Sequence, residues 1–368
     1  MTKKLTIAVI FGGRSGEHAV SLMSARSILS VLNPEKFDVI QIGITPSGAW
    51  LTGKNVIEAL EAKSTAHLSS VVLFPEPKKN SFFVLKGDRL EPLPPIDVVF
   101  PVLHGTFGED GTLQGLLELA DVAYVGCGVL SSSVGMDKNL FKDVMRAHQI
   151  PVVESLLFTR SQIATSIEEV IVRIEKTISY PVFVKPANLG SSVGISKCKN
   201  HSDLLEGLRE AAQFDRRILV ERGINAREIE VGVLGNEHPI ASIAGEIRPM
   251  DEFYTYKAKY LDDSSELIIP ARLEKGIELK LSEIAVRAFE AIDGAGMARV
   301  DFLLDRDTHE IYLSEINTIP GFTKISMYPK LWAASGISYS ELVDRLIALG
   351  IERKGDRDHT ERGFRSLK

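Results

Sequence analysis

Cysteine is scarce. The 368 residues contain two, Cys127 and Cys198, too far apart in sequence for a CxxC pair, which argues against a disulfide framework or a cysteine-rich metal module. Both are expected to be buried or idle thiols in a reducing compartment. No apolar run approaches the roughly eighteen residues that a membrane-spanning helix needs. Neither sign of charge dominates, because 43 Lys+Arg stand against 49 Asp+Glu for a net charge of −6. Broad attraction to nucleic acid or to an anionic membrane is therefore not expected. The patterns GxxxxGK[ST] and GxGxxG are both missing, which removes the P-loop and the dinucleotide fingerprint. There is no internal repeat and no long low-complexity segment. The opening MTKKLTIAVIFGG places two lysines before an apolar run, as a signal peptide does. The run is short and no small-residue cleavage site follows it, so it reads as a first core strand of a cytoplasmic protein.

What is present is an alternation of apolar runs and helical patterns, long enough for two or three domains. Residues 5–11 form a continuous apolar run followed by Gly12-Gly13 and a helical pattern through Ser30. Val39–Ile44 and Asp97–Leu103 repeat the theme. This predicts a parallel, doubly wound α/β domain over residues 1–135, with a β-rich insertion at about 47–95. A second α/β unit is expected over 136–227: helix 137–148, strand 152–158, helix 166–178, strand 182–185, a Gly/Ser loop, helix 202–213 and strand 218–221. A third, 228–350, contains two alternating strands, a polar tyrosine-rich stretch at 249–266, a helix at 275–292 and a hairpin at 299–317. The charged tail 351–368 is expected to be disordered.

Three oxygen-bearing side chains fall on that hairpin. Asp301 opens ARVDFLL, and Glu315 and Asn317 close IYLSEIN, with a polar turn between. Residues two apart on a strand share a face, and paired strands bring opposite ends together. Hard oxygen ligands completed by water and phosphate describe a magnesium–nucleotide site rather than a zinc site; a hairpin with solvated acids is the plainer reading. Lys185 heads a loop, Lys-Pro-Ala-Asn-Leu-Gly-Ser-Ser-Val-Gly, whose amides and hydroxyls (Ser191, Ser192) suit a phosphate cradle, against a merely flexible turn. Lys138, at a helix start, is a plausible second cation or an ordinary solvated lysine. Glu17 follows the first strand and His104 another strand end, where doubly wound sheets bind ligands. Alone, Glu17 reads as a dipole-stabilising acid and His104 equally as a buried structural histidine. Lys259 and Tyr260, in FYTYKAKY, lie on a surface loop or on a lid that closes over a charged reaction.

In this order the motifs GGRSGEHAVS, LHGTFGEDGTLQG, GMDKN, VFVKPANLGSSVGISK, EFYTYKAKY, GMARVDF and EINTIPGFT resemble the ATP-grasp superfamily, and closely the D-alanine–D-alanine ligases. The resemblance spans about residues 5–348. It implies an α/β (α+β overall) architecture, with an N-terminal Rossmann-like pre-ATP-grasp domain followed by a two-lobed ATP-grasp fold. It implies D-alanine and ATP as substrates, two magnesium (or manganese) ions, a homodimer, and a dipeptide product for peptidoglycan synthesis. Glu17 would hold the first alanine's ammonium, with His104 close to the reacting carboxyl. Lys138 and Lys185 would contact ATP phosphates under Ser191 and Ser192. Glu221, Arg222, Gly223 and Ile224 would line the adenine pocket, and Glu228 would bind the ribose. Asp301, Glu315 and Asn317 would hold the metals. Arg299 and the backbone of Gly321 would form the oxyanion site, and Ser326 and Met327 would receive the second alanine's carboxylate. Lys259 and Tyr260 would come from the lid, with Tyr260 hydrogen-bonded to Glu17 and Ser191.

Two positions depart from the commonest pattern: Arg222 stands where many members have Lys, and Met327 where Leu is common, a volume-conserving swap. Three alternatives remain open: a D-alanine–D-lactate depsipeptide ligase, an ATP-grasp ligase for other amino acids, and a catalytically inactive nucleotide-binding module. Depsipeptide-forming members usually carry histidine where this chain has Tyr260, which favours the dipeptide. Intact Asp301, Glu315, Asn317, Lys185 and Arg299 argue against an inactive module.

Overall fold

The computed structural model describes residues 3–77, 80–190, 193–249 and 265–361. Three sheets organise it. In the first, β1 (Leu5–Gly12) runs parallel to β2 (Phe37–Ile44) and to β7 (Val98–Val102), with α1 (His18–Leu29) between β1 and β2. The apolar runs seen in sequence are these three parallel strands; β1 and β7 are buried almost throughout beneath helices, and β2 is buried from Ile42 to Ile44. The insertion adds a short helix, α2 (Val56–Glu61), and extends the same sheet as an antiparallel meander. It comprises β3 (Trp50–Thr52), β4 (Ser69–Leu73), β5 (Phe82–Lys86) and β6 (Arg89–Pro92), in the order β6-β5-β4-β3-β2. Helices α3 (Thr112–Leu119), α4 (Val129–Met136) and α5 (Lys138–Ala147) lead away from it.

The second sheet is antiparallel, in the order β10 (Ser196–Cys198), β9 (Val182–Pro186), β11 (Arg217–Arg222), β8 (Ser155–Thr159). One face packs Val182, Val184, Ile218 and Val220 against α6 (Arg160–Thr177) and α7 (His201–Phe214). Strand alternation therefore leaves Phe183, Lys185, Leu219 and Glu221 on the opposite face. Helix α6 begins six residues before the expected position because Thr159 and Gln162 form a capping box.

The third sheet is also antiparallel: β14 (Ser265–Ile268), β13 (Ile240–Pro249), β12 (Ala226–Gly235), β15 (Gly296–Asp305), β16 (Ile311–Asn317). Ile229, Val231, Val233, Val300 and Phe302 pack on α8 (Lys275–Ala291) and on Phe141 and Met145 of α5. The other face meets α9 (Met327–Ala334): a side chain at Gly232 would lie 2.9 Å from Trp332 Nε1.

Helix α10 (Tyr339–Asp358) returns to the first sheet and completes its core with Leu342, Val343, Leu346 and Ile347. This corrects the expectation of disorder from residue 351 onward, since α10 continues through Asp358. The charged residues there have acidic partners on the first domain. Arg353 and Arg357 pair with Glu118, Lys354 with Asp121, and Arg353 stacks over the Tyr124 ring at 4.1 Å. Composition alone does not show such partners. The expected lid positions 250–264 lie outside the described residues, as do 362–368.

Candidate active site

The loop after β1 and the loop after β7 leave the carboxyl ends of parallel strands, where such sheets expose ligand sites. Gly12 makes the first turn possible: its φ is +93°, and a Cβ would lie 2.2 Å from the Ile44 carbonyl oxygen. The Ser15 hydroxyl donates to the His104 carbonyl at 2.7 Å and accepts from the Glu17 N–H at 3.1 Å, tying the two loops together. Glu17 sits at the N-cap of α1, buried, and its side chain does not cap the helix. Its carboxylate instead lies against the backbones of Gly105 and Gly190, where added Cβ atoms would come within 2.4 and 3.2 Å of Oε2.

His104 is buried and both ring nitrogens are engaged. Nδ1 lies 3.1 Å from the Ile319 carbonyl, which only accepts, so Nδ1 carries the proton. Nε2 then accepts from the Ser24 hydroxyl at 3.0 Å, and that hydroxyl accepts from the Phe322 N–H at 3.2 Å. Burial holds the imidazole below its ordinary pKa, with Glu17 opposing. The histidine thus fastens the loop after β16 to the first sheet. Glu109 does the same, accepting from the N–H groups of Gly105 (2.7 Å) and Ile319 (3.2 Å). Burial and the neighbouring Glu17 push its carboxyl pKa up.

On the third sheet the register sets three carboxylates in a row. Glu230 on β12 opposes Asp301 on β15, which opposes Glu315 on β16. One step along, Arg299 opposes Asn317. The guanidinium donates to both Asp301 oxygens at 2.7 Å and pairs with Glu230 at 3.0 Å, and Asn317 Nδ2 donates to Asp301 at 2.9 Å. Lys138 Nζ lies 3.9 Å from Glu315 and donates to the Leu189 carbonyl at 2.7 Å. Among the described residues no three His, Cys, Asp or Glu side chains converge into a metal site of their own. Two carboxylates and a carboxamide, with further oxygens from water and phosphate, fit a hard divalent cation. Asp301, Glu315 and Asn317 therefore suit magnesium or manganese.

Across the cleft, Lys185 donates to Glu221, whose other oxygen lies 2.5 Å from Lys142 Nζ on α5. Burial opposes ionisation of Glu221, but the two lysines outweigh it and hold the carboxyl at about 2. Arg222 stacks on Tyr312 of β16, 5.7 Å from its centroid, joining second and third sheets. The Gly223 N–H donates to the Pro181 carbonyl at 2.8 Å. Half-buried Ile224 follows in the β11–β12 connection, and Glu228 on β12 is close enough to act electrostatically on Lys185.

One cavity is lined by Glu17, His104, Lys138, Arg299, Glu315, Asn317 and Gly321, with Asp301 bonded to two of these. Sequence-predicted residues from the loops after β1, β7 and β16, from α5 and from the β15–β16 hairpin are thereby brought together. Gly321 has no room for a side chain, since a Cβ would be 2.7 Å from Ser326 Oγ. Ser326 begins α9 and bonds Thr323. The Met327 side chain is buried against Ile247 and Leu331, which leaves its backbone to meet a carboxylate. Ser191, Ser192, Lys259 and Tyr260 lie outside the described residues. Sequence reasoning missed Ser24, Glu109, Lys142 and Glu230. Glu109 stood inside a quoted motif, and Glu230 stood on the same alternating strand as Glu228; Ser24 and Lys142 carried no signal beyond helical spacing.

Comparison with known proteins gives the family. The descriptions "D-ala D-ala ligase N-terminus" and "D-ala D-ala ligase C-terminus" match residues 6–127 and 144–348. The chain belongs to the D-alanine–D-alanine ligase family. A D-alanine–D-alanine ligase of Heliobacterium modesticaldum is 50% identical over 361 residues, covering 98% of each chain. Among solved structures, the D-alanine–D-alanine ligase from Coxiella burnetii is 34% identical with a TM-score of 0.83, covering 97% of each chain. The VanG D-Ala:D-Ser ligase from Enterococcus faecalis is 37% identical with a TM-score of 0.84, covering 95% of this chain and 100% of its own. These neighbours are ATP-grasp enzymes, and membership in the ligase family carries ATP use and divalent-metal dependence with it.

Proposed function

We propose that the chain joins two D-alanines into D-alanyl-D-alanine at the expense of ATP, through a D-alanyl phosphate. The observation that carries this reading is the meeting of Glu17, an amine-binding carboxylate, with the oxygen set of Asp301, Glu315 and Asn317 around one cavity. The first alanine's carboxylate attacks the γ-phosphate, and ADP leaves. The second alanine's amine then attacks the acyl carbon, and phosphate departs through a tetrahedral oxyanion. Two anions must approach in the first step, and Lys138 and Lys185 offset their repulsion. Glu17 holds the first ammonium, and Glu109 and His104 keep the loop carrying Ile319 and Gly321 in place. Arg299, oriented by Asp301 and Glu230, and the Gly321 N–H face the oxyanion. Ser326 and the backbone of Met327 take the second carboxylate. Positioning of both alanines contributes up to roughly 7–11 kcal/mol of the barrier. Glu221 to Ile224 and Glu228 receive the nucleoside. Ser191, Ser192, Lys259 and Tyr260 close the site over the acyl phosphate, which water would otherwise hydrolyse. Two magnesium (or manganese) ions, held by Asp301, Glu315 and Asn317, supply charge neutralisation on the phosphates.

The same reading makes the enzyme a cytoplasmic homodimer of peptidoglycan synthesis. No helix among the described residues is long and apolar enough to cross a membrane. The deciding experiment is ADP release dependent on D-alanine, with D-lactate and D-serine offered in competition near neutral pH. D-alanyl-D-alanine as the main product is expected. A mainly depsipeptide or D-alanyl-D-serine product would overturn the assigned specificity, and ADP release without a D-alanine requirement would overturn the reaction. Sedimentation reads the dimer.

A further inference from the structure

Beside the residues assigned above lies a buried cation that the mechanism does not use. Lys142 is on α5, one helical turn beyond Lys138, and its side chain is 1% exposed. It ends 2.5 Å from Glu221 Oε1, while Lys185 takes Oε2 of the same carboxylate. Glu221 is 6% exposed and Lys185 17%, so the cluster grades from sealed interior to cleft. Burial lowers the pKa of Lys142, whereas Glu221 more than offsets burial at Lys185. For folding alone, apolar residues of similar volume in place of both Lys142 and Glu221 would serve as well or better, because desolvating an ammonium and a carboxylate is costly. A reason connected with the site is therefore called for.

That reason lies in the charge count. With one lysine, Glu221 and Lys185 would form a closed pair. If phosphates drew Lys185 away, a buried carboxylate would be left unpaired beside incoming anions, which is strongly unfavourable. With two lysines, one stays and one is exchangeable. We propose that Lys142 is a positioning residue of the nucleotide site: it holds Glu221 permanently, so that Lys185 exchanges that carboxylate for the phosphates of ATP. The inference rests on the reading of Lys185 as a phosphate contact and adds a residue that this reading does not contain.

The test compares Lys142→Met, Lys142→Arg, Glu221→Gln, the double variant Lys142→Met/Glu221→Gln, and Lys185→Ala. ADP affinity in the presence of magnesium is measured by calorimetry, and KM for ATP and for D-alanine by ADP release. Lys142→Met should weaken ADP and raise KM for ATP about tenfold or more, with KM for D-alanine changed less than about twofold. Lys142→Arg should recover most of the loss. In the Glu221→Gln background the Lys142→Met change should lose its effect on ADP affinity, because no carboxylate remains to retain Lys185. The double variant buries neither charge, so its ADP affinity set against that of Glu221→Gln reads the proposal even if Lys142→Met alone fails to fold. ADP affinity within about twofold of wild type in Lys142→Met, or an undiminished loss in the Glu221→Gln background, would overturn the inference. Unchanged ADP binding in Lys185→Ala would instead overturn the phosphate assignment beneath it.

Discussion

Replacing Asp301 by asparagine removes one charge and almost no volume, so it separates chemistry from folding. In the structure Asp301 takes two hydrogen bonds from Arg299, each 2.7 Å, and one from Asn317 at 2.9 Å. A carboxamide keeps one accepting oxygen, so the fold loses about one charge-assisted hydrogen bond, roughly 1.5–3 kcal/mol. Arg299 is not stranded, because Glu230 remains 3.0 Å from its Nε. Against a usual stability of about 5–15 kcal/mol the variant should fold. The active site loses more. Asp301 and Glu315 are the charged members of the proposed metal set, and a neutral oxygen binds a divalent cation far less strongly. A deficit of about 4 kcal/mol in transition-state stabilisation corresponds to a thousandfold in rate. The assay is ADP release titrated with magnesium, alongside thermal unfolding. A folded variant slowed about a thousandfold or more at saturating magnesium is expected. A folded variant with near-normal turnover would refute the metal assignment.

Three further outcomes follow from particular contacts. Gly105→Ala places a Cβ at φ +74°, 2.4 Å from Glu17 Oε2, so KM for D-alanine should rise about tenfold or more while ATP binding changes little; unchanged D-alanine kinetics would separate Glu17 from substrate binding. Gly350→Ala puts a Cβ 2.8 Å from the Tyr124 carbonyl, and the loss of α10 docking should exceed the gain of about 1 kcal/mol in helix propensity; an unchanged or raised Tm would show that this contact yields. The Glu221 carboxyl, held at about 2 against an ordinary 4.5, is depressed in the folded state, so its contribution of about 3 kcal/mol is complete above pH 4.5 and is lost as the pH falls from there toward 2; denaturant unfolding across that window should fall more steeply for wild type than for Glu221→Gln, and equal slopes would refute it.

The sequence by itself determined the parts whose cause is local. Apolar runs at 5–11, 39–44 and 97–103 became the three parallel strands; β1 and β7 show the near-continuous pattern that burial on both faces demands, while β2 is buried continuously only from Ile42 to Ile44. The alternating runs from 228 onward became the antiparallel third sheet, and two-residue spacing put Glu315 and Asn317 on one face. The capping box at Thr159 was equally local, and readable in TRSQ. Tertiary structure decided what depends on distant partners. Register across β12, β15 and β16 aligned Glu230 with Asp301 and Glu315, which no spacing along one strand reveals. His104 was ambiguous in sequence, and the carbonyl of Ile319 and hydroxyl of Ser24 settled its tautomer and its fastening role. Lys142 reads as a surface lysine until Glu221 arrives from another sheet. That the Met327 side chain belongs to the core, leaving its backbone to meet a ligand, is decided by Ile247 and Leu331, which enclose it. The charged stretch beyond residue 351 lacks the apolar residues that announce a helix, and it is ordered through Asp358 because Glu118, Asp121 and the Tyr124 ring wait on the first domain. Local pattern records what a segment can bury; the pairing of charges across sheets depends on where the chain returns.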